Sequence, residues 1–474
     1  MLFSSYAFIL VFLPVTIVIY YLLSKVESSL YQRTFLIIMS LFFYGYYNIK
    51  YLLLIVVSIA VNYFIALCIQ KKYGNSKHFL MLGISFNVGL IGYFKYYDFF
   101  VQNINSIIRT NFALKHIFLP LGISFFTFQQ LSFLLSVYKG EEKVERFRDY
   151  CLFVTFFPQL IAGPIVLYSE MMPQFKDEVR RYFNAENFSA GIYIFSIGLF
   201  KKALIADTLA VFVGNGFVMT EMSFAAGWIV SLSYTLEIYF DFSGYSDMAI
   251  GLGKMINIDI PFNFLSPYKS ESISEFWRRW HITLGRALST YIYKPIGGNQ
   301  KGLKRTCLNL FFTFFISGLW HGASWNFVIW GVWHGVFVVL ERLAGERLSK
   351  VSKPIRVFTT FLIVNVLWVL FRADNFLQAT EIYKGMLNFK NVGIQQLEIV
   401  VGAPAGINFP ALIDCVYIIG FEALLLLAVF RLKNTALCLK QFMASKKELL
   451  LAVGMFSISI LCLSRQNIFI YFNF

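Results

Sequence analysis

Long apolar runs separated by short charged segments recur from one end of the chain to the other. Several reach the roughly 20 residues that an α-helix needs to cross the hydrocarbon core of a bilayer. The runs with little or no charge cover residues 1–24, 34–49, 51–70, 79–94, 117–138, 150–169, 306–340, 357–371 and 450–464, and less pure runs cover 188–215, 223–255 and 410–430. The pattern predicts an all-α, polytopic integral membrane protein.

Two of the runs contain helix breakers. The run 117–138 has Pro120 near its start, and the run 150–169 contains Pro158 and Gly163. Backbone that leaves the helix at membrane depth must be shielded by protein or line a cavity, because lipid offers it no hydrogen bonds. We therefore predict that both runs form re-entrant or broken segments.

Composition supports the membrane assignment. Hydrophobic residues make up 58% of the 474 positions and charged residues only 14%, which leaves too little polar surface for a soluble protein of this length. We see no linker and no repeat of 20 to 50 residues, and the largest polar stretch is 372–410. One multispanning membrane domain over residues 1–474 is the predicted organisation, and the lack of matching halves weakens a secondary transporter.

The formal net charge of +15 first suggests a nucleic-acid partner. The basic residues, however, lie in short loops between apolar runs, at 25–33, 71–77, 294–305 and 342–356. This distribution is typical of charge that sets membrane orientation, so we expect contact with the bilayer and none with nucleic acid. If the loops after the first and third spans are cytoplasmic, the amino terminus faces outside. The first run is too long for a cleaved signal peptide and is interpreted as a retained span.

The strongest candidate for chemistry is the stretch Phe315-Ile-Ser-Gly-Leu-Trp-His321-Gly-Ala-Ser-Trp-Asn326, inside the uncharged run 306–340. An ionisable side chain at membrane depth indicates a functional site. Burial disfavours the imidazolium, so a neutral His321 can accept a proton as a general base. Its neighbours that we assign to substrate binding are Trp320, Ser324, Trp325 and Asn326.

A second histidine lies in a stretch rich in tryptophan and arginine, Glu275-Phe-Trp277-Arg278-Arg279-Trp280-His281. Tryptophan stacks on flat polar groups and arginine pairs with phosphate or carboxylate, so the stretch fits the rim of a site for an anionic acyl carrier. An interfacial anchor helix fits the residues equally well, because both types are enriched at membrane interfaces.

Three carboxylates, Glu237, Asp241 and Asp247, lie in an otherwise apolar stretch and need partners there. On a helix, Glu237 and Asp241 share a face one turn apart and could bind Arg278 or Arg279, or orient a histidine. Asp241 is taken as a candidate for substrate binding, and a buried ion pair between helices remains the alternative.

The sequence contains no metal-ligand motif. The six cysteines are scattered and form no CxxC, and the five histidines form no HExxH. We therefore predict no metal site and no tightly bound cofactor. His334 lies thirteen residues after His321; on one continuous helix it would point roughly to the opposite side, which suggests a structural role.

Together, these segments resemble the membrane-bound O-acyltransferases, and most closely the bacterial polysaccharide branch of that family. The resemblance starts from Trp-Arg-Arg-Trp-His281 and Gly-Leu-Trp-His321-Gly-Ala-Ser-Trp, forty positions apart, and is strongest over about 117–340. Further blocks that match are Leu119-Pro-Leu-Gly-Ile-Ser-Phe-Phe-Thr-Phe-Gln, Phe157-Pro-Gln-Leu-Ile-Ala-Gly-Pro-Ile, Gly198-Leu-Phe-Lys-Lys-Ala-Leu-Ile-Ala-Asp, Asp241-Phe-Ser-Gly-Tyr-Ser-Asp, Pro261-Phe-Asn-Phe and Tyr293-Lys-Pro-Ile-Gly-Gly-Asn, with a weaker echo in Leu41-Phe-Phe-Tyr-Gly-Tyr-Tyr-Asn.

The resemblance implies a helix bundle around a funnel or tunnel, which acyl donor and acceptor enter from opposite membrane faces. By motif, His321 corresponds to the active-site histidine and His281 to a second, more variable polar position. The expected donor is acetyl-CoA or another acyl thioester on the cytoplasmic side, and the expected acceptor is an extracytoplasmic polysaccharide, alginate-like or another exopolysaccharide. The expected location is the bacterial inner membrane, and a separate extracytoplasmic acetyltransferase is the expected partner.

These roles lead to a mechanism in which His321 deprotonates an acceptor hydroxyl as it attacks a thioester carbonyl. His281, or a backbone or tryptophan N–H, would stabilise the oxyanion. A covalent acyl-enzyme on Ser324 is a second route, although the spacing from His321 favours a helix-packing serine. Peptidoglycan O-acetylation and teichoic acid D-alanylation are alternative reactions, and a transporter, flippase or non-catalytic scaffold is the alternative of another class.

Overall fold

A computed structural model of the chain describes residues 1–46, 48–402, 411–463 and 470, and this part is helical with no β-strand. Some positions of the predicted segments lie outside the described residues, namely Tyr47, residues 403–410 and residue 464. The α-helices are α1 (Leu13–Leu23), α2 (Leu30–Gly45), α3 (Ile49–Gln70), α4 (Ser76–Ile108), α5 (Ile123–Lys139), α6 (Phe147–Thr155), α7 (Phe157–Leu160), α8 (Tyr168–Lys176), α9 (Ala185–Phe200), α10 (Asp207–Phe217), α11 (Phe224–Met255), α12 (Ile273–Arg279), α13 (Ile282–Leu288), α14 (Gly302–His321), α15 (Trp325–Ala344), α16 (Lys353–Arg372), α17 (Phe376–Met386), α18 (Leu397–Val401), α19 (Ala411–Arg431), α20 (Thr435–Lys440) and α21 (Lys446–Cys462).

Shorter helical segments of other types connect some of these elements. π-Helical segments cover Ala7–Phe12, Lys201–Ala206 and Ser289–Tyr293. Single 3₁₀ turns cover Pro267–Lys269, Gly345–Lys350 and Ile394–Gln396.

Five helices of the described chain are long and apolar enough to cross a membrane. They are Ile49–Gln70, Ser76–Ile108, Trp325–Ala344, Lys353–Arg372 and Ile413–Arg431. Each overlaps an apolar run of the sequence, which confirms the prediction of an all-α, multi-pass membrane protein.

The chain forms two compact units that interleave along the sequence. Of the described residues, one unit contains those within 1–198, 245–261 and 442–463, and the other contains those within 199–244 and 262–441 together with Ile470. The single membrane domain expected from the sequence stays a prediction.

The predicted helix breaks are present in the first unit. Helix α5 begins directly after Gly122, whose φ of +69° and close approach to the Leu160 carbonyl oxygen, 2.8 Å from where a Cβ would lie, leave no room for a side chain. The second broken run is split into α6 and α7, and the chain is not helical again until Tyr168. Every residue from Leu152 to Val166 is buried, so this irregular backbone is shielded by protein as membrane depth requires.

In the second unit, α14 and α15 form a helical hairpin with very close backbones. Gly318 of α14 and Gly331 of α15 face each other at the crossing. A Cβ on Gly331 would lie 2.5 Å from the Phe314 carbonyl oxygen and 2.9 Å from the Gly318 Cα. Small residues allow this approach, which is a common way to pack helices in membranes. The crossing fixes the end of α14, where His321 lies.

Substituting Gly331→Ala is expected to lower the free energy of unfolding by about 1–3 kcal/mol, because the added methyl group meets backbone that cannot rotate away. Gly420→Ala on α19 is the matched control, since a Cβ there meets nothing within 4 Å. That control should raise stability by about 0.5–1 kcal/mol through helix propensity. Thermal unfolding of the purified protein in detergent gives both values, and shifts of the same sign would contradict the packing argument.

Candidate active site

His321 is the last residue of α14 and is only 3% exposed. Gly322 follows in an extended conformation and the chain turns back into α15, so the uncharged run 306–340 forms two helices rather than one. The imidazole is surrounded by aromatic rings, with centroids 5.0 Å away at Trp320, 5.1 Å at Trp330 and 5.2 Å at Phe371. These contacts enclose the imidazole among apolar side chains.

The turn after His321 corrects two sequence-based arguments. Ser324 is not one helical turn from His321 on the same helix; it is the N-cap of α15, and its side chain accepts a hydrogen bond from the Asn326 N–H at 3.3 Å. The angular argument for His334 holds only for one continuous helix and therefore does not apply, and the structural role of His334 stays a prediction. His334 lies within α15, fully buried, and its ring centroid is 4.7 Å from that of Trp330.

His281 occupies the junction between α12 and α13, where the chain changes direction. Its backbone is left-handed, with φ 44° and ψ 53°, and its side chain is fully buried. Asn263 fixes this junction, because its Oδ1 accepts hydrogen bonds from the Thr283 N–H at 3.1 Å and hydroxyl at 2.7 Å, and its carbonyl oxygen accepts from the Ile282 N–H. A left-handed residue that is not glycine is strained and persists where the surroundings determine it.

Trp320 joins the two histidines. Its ring centroid lies 5.0 Å from that of His321 and 6.2 Å from that of His281, both within the range of aromatic contact. Phe242 of α11 covers another side of His281 at 4.7 Å. The two residues predicted to be catalytic therefore lie in one cluster of aromatic side chains, each in contact with Trp320.

The tryptophans and arginines that precede His281 separate onto different faces. Trp277 donates a hydrogen bond from its indole N–H to His334 Nδ1 at 3.2 Å, and Trp280, 1% exposed, packs on Trp368 with a centroid distance of 5.0 Å. Arg278 is exposed, and Arg279 pairs with Glu275 on the same helix at 2.5 Å. The two tryptophans pack against buried aromatic side chains, and the two arginines take no part in this packing.

Two further predicted site residues lie beside the hairpin turn. Asn326 is buried and donates from its side-chain amide to the Ala373 carbonyl oxygen at 2.7 Å, which ties the start of α15 to the end of α16. Trp325 is 52% exposed. Of these two residues, only Trp325 offers a large exposed surface to a ligand.

Glutamates hold the start of α12 against its neighbours. Glu341 of α15 accepts from the backbone N–H groups of Ile273 and Ser274, and Glu271 pairs with Lys353 at 2.9 Å and Arg356 at 2.5 Å. The Lys353 ammonium and the Arg356 guanidinium hold the pKa of Glu271 below its usual range. The helix that leads into His281 is thus anchored to both α15 and α16.

The buried carboxylates have a partner that the sequence argument did not name. Asp241 Oδ1 lies 2.6 Å from the Lys202 ammonium, which also pairs with Asp207 at 2.8 Å, and all three side chains are at most 5% exposed. Asp241 Oδ2 accepts from the Ile470 N–H at 2.9 Å. The expected pairing of Asp241 with Arg278 or Arg279 is therefore wrong, because Arg279 bonds Glu275 and Lys202 lies next to the α11 carboxylate.

Glu237, one turn before Asp241 on α11, is also buried. Arg372 and Lys202 lie within electrostatic range of its carboxyl group, and within the described residues its Oε2 accepts no hydrogen bond. The acids and Lys202 form a buried charged cluster, and Asp241 directly precedes Phe242, the ring that contacts His281.

Sequence reasoning gave no role to Asn263 or Lys202. Both lie in blocks that it singled out, Pro261-Phe-Asn-Phe and Gly198-Leu-Phe-Lys-Lys-Ala-Leu-Ile-Ala-Asp. An asparagine two residues after a proline and a lysine inside an apolar run are the signals that could have identified them. Among residues 1–46, 48–402, 411–463 and 470, no three His, Cys, Asp or Glu side chains gather to hold a metal ion.

Replacing His281 separates its backbone role from its chemical role. His281→Asn should fold at parental yield, because asparagine tolerates a positive φ, and should lose activity by about 10- to 100-fold if the imidazole donates to the oxyanion. His281→Val should fold poorly, because a β-branched residue is strained at φ 44°. Yield of monodisperse protein and transfer activity per folded molecule distinguish the two effects. Equal yields of both variants would contradict the backbone argument.

The site belongs to a known kind of protein. A sequence model of the MBOAT, membrane-bound O-acyltransferase family matches residues 146–372, which include His281 and His321. A peptidoglycan O-acetyltransferase from Helicobacter pylori is 40% identical over an alignment that covers 100% of this chain and 98% of that protein. The chain belongs to the membrane-bound O-acyltransferase family. The resemblance of the sequence motifs to that family is thereby confirmed, and the protein is a membrane-bound O-acyltransferase.

Other members of the family align less completely. A probable alginate O-acetylase AlgI from Pseudomonas putida is 39% identical, with 84% of this chain and 82% of that protein covered. A teichoic acid D-alanyltransferase from Bacillus subtilis is 27% identical, with 44% of this chain and 55% of that protein covered.

Proposed function

We propose that this O-acyltransferase moves an acetyl group from an acyl thioester, acetyl-CoA or another, on the cytoplasmic side to hydroxyl groups of an extracytoplasmic glycan. The observation that carries the proposal is the contact of Trp320 with both His321 and His281, two buried histidines. Membership of the family supplies the reaction class, and this aromatic cluster supplies residues suited to it. We place the protein in the inner membrane of a bacterium, as one membrane domain.

His321 is proposed as the general base. A neutral imidazole nitrogen takes the proton of the acceptor hydroxyl while the hydroxyl oxygen attacks the thioester carbonyl. When the carbon–sulfur bond breaks, the imidazolium gives the same proton to the departing thiolate. This use of one imidazole balances the reaction without a net change in protons. General base catalysis contributes about 10²- to 10⁴-fold, and the surrounding rings exclude water that would hydrolyse the thioester.

The imidazole of His281 and the indole N–H of Trp320 are proposed to donate the hydrogen bonds that stabilise the oxyanion. Trp320 contacts both imidazole rings, and a hydrogen bond to developing charge is stronger where water is excluded. Ser324 is proposed as structural, because its oxygen already serves as the α15 N-cap. Direct transfer is therefore favoured over an acyl-enzyme.

Arg278, Arg279 and Trp325 are proposed to contact the acyl carrier or the acceptor. Arg278 and Trp325 present exposed polar or aromatic surface, and arginine binds phosphate and carboxylate groups well.

Asp241 is proposed to act indirectly, since Lys202 and the Ile470 N–H already occupy its oxygens. A separate extracytoplasmic acetyltransferase is the proposed partner. With this partner, the hydroxyl group that attacks the thioester at His321 belongs to the partner, which then passes the acetyl group to the polymer.

Two acceptors have support from relatives. The H. pylori relative, named a peptidoglycan O-acetyltransferase, aligns with the whole chain, whereas the probable alginate O-acetylase aligns with 84% of it. Peptidoglycan is therefore the acceptor to examine first, and an alginate-like exopolysaccharide is the second. D-Alanylation ranks behind acetylation, because the D-alanyltransferase from B. subtilis covers only 44% of the chain.

The experiment compares the parent strain with a deletion strain. Peptidoglycan, exopolysaccharide and teichoic acid are purified separately, treated with mild base, and the released acid is identified by chromatography. We expect acetate to fall in one glycan fraction of the deletion strain and to return when the gene is restored. Release of D-alanine instead would support the D-alanyltransferase, and unchanged ester in all fractions would overturn the proposal.

A further inference from the structure

A cavity of about 580 Å³ opens at the end of the α14–α15 hairpin farthest along the helices from His321. Its polar wall contains Ser274, Tyr293, Asn299 and Arg342. Its apolar wall contains Leu310 of α14, Val338 of α15 and Leu348. The cavity thus offers hydrogen-bond donors and a positive charge on one side and hydrocarbon on the other.

The position of the cavity relative to the membrane follows from α15. This helix is long and apolar enough to span, and the cavity adjoins its last turn, where charged residues begin. Large apolar side chains on the same two helices are exposed near this end, among them Leu303, Leu308 and Leu340. Such side chains face lipid in a membrane helix, so the mouth of the cavity lies at the boundary between lipid tails and headgroups.

The charge around the cavity is positive. The adjoining loop 294–305 has four basic residues, Lys294, Lys301, Lys304 and Arg305, and no acidic one. The Arg342 guanidinium is close enough to Tyr293 to oppose the rise in the pKa of its hydroxyl that burial causes. Glu341 also lines the cavity, and its carboxylate accepts from the Ser274 N–H and hydroxyl at 2.9 and 2.8 Å. Its negative charge offsets that of Arg342, and the four basic residues of the adjoining segment give the surroundings their positive charge.

We propose that this cavity binds an anionic membrane phospholipid, with its phosphate at Arg342 and Tyr293 and the start of an acyl chain against Leu310 and Val338. A basic pocket between membrane helices on the side of the positive loops is suited to such a headgroup. Arginine pairs with phosphate through two parallel N–H groups, and the tyrosine hydroxyl adds a further donor. The lipid would brace the hairpin that carries His321 at its other end.

The test uses the full-length protein in detergent micelles, without any acyl donor. Binding of dioleoyl phosphatidylglycerol and of dioleoyl phosphatidylcholine is measured by native mass spectrometry for the parent, Arg342→Gln and Arg347→Gln. Arg347 is exposed and basic but does not line the cavity, so it is the matched control. Size-exclusion chromatography confirms that each variant is folded.

We expect phosphatidylglycerol to bind more tightly than phosphatidylcholine. Arg342→Gln should weaken phosphatidylglycerol binding about fivefold, the usual effect of one basic residue at a membrane surface, and Arg347→Gln should change it less than twofold. Equal binding of the two lipids, or equal losses in both variants, would overturn the proposal. Displacement of the lipid by acetyl-CoA or by inorganic phosphate alone would also overturn it, because the cavity would then take a soluble phosphate compound.

Discussion

Replacing Lys202 with methionine is expected to lower the free energy of unfolding by about 3–5 kcal/mol, which few membrane proteins tolerate. Lys202 is the counter-ion of Asp207 and Asp241, at 2.8 and 2.6 Å, and all three groups are buried. Methionine keeps the volume of the lysine stem and removes the charge, so the two carboxylates lose the counter-ion that they share. The measurement is the yield of monodisperse protein and its thermal unfolding temperature in detergent.

Lys201→Met provides the matched control. Lys201 precedes Lys202 in the same π-helical segment and bonds the Thr435 hydroxyl at 3.2 Å, a neutral partner. Its loss should lower stability by no more than about 1 kcal/mol. The double variant Lys202→Met with Asp241→Asn should recover part of the loss, because one stranded carboxylate is removed with the lysine. Equal effects of the two single lysine variants would contradict the assigned ion pairs.

His321→Gln is expected to reduce acetyl transfer by about 10²- to 10⁴-fold while the protein folds normally. Glutamine keeps a polar side chain of similar size among Trp320, Trp330 and Phe371 but cannot act as a base. The measurement is the initial rate of transfer from an acetyl thioester in membranes that contain equal amounts of parent and variant protein.

His78→Gln is the control for replacing a histidine elsewhere. His78 lies exposed at the start of α4, in the other compact unit, and its variant should keep the parental rate within about twofold. Retention of more than a tenth of the parental rate by His321→Gln would contradict the proposed general base, because a base that contributes so little does not control the reaction.

The membrane helices were predictable because the signal is local. Lipid requires about 20 apolar residues for each crossing, and the run 51–70 meets that length directly. The interruptions at Gly122 and Pro158 were also predictable, because those residue types break helices wherever they lie. The turn after His321 was missed because Gly322-Ala-Ser324 carries no charge or proline, so the run 306–340 looked continuous.

The partners within the site were less predictable because they depend on contacts between distant segments. Asp241 pairs with Lys202, 39 positions earlier in the sequence, and Asn263 fixes the backbone at His281. A single sequence shows that a buried carboxylate needs a cation, but several arginines and lysines are equally available to it. Only packing of α11 against the π-helical segment selects Lys202.

The measurement that tests the central claim most directly is the ester-linked acetate on the envelope glycans of living cells. A deletion strain is complemented with the parent gene or with His321→Gln, and both proteins are brought to equal abundance in the membrane. We predict that the parent gene restores acetate and that the His321→Gln strain stays at the level of the deletion. Parental acetate in the His321→Gln strain would show that the protein supports acetylation without performing it at this histidine.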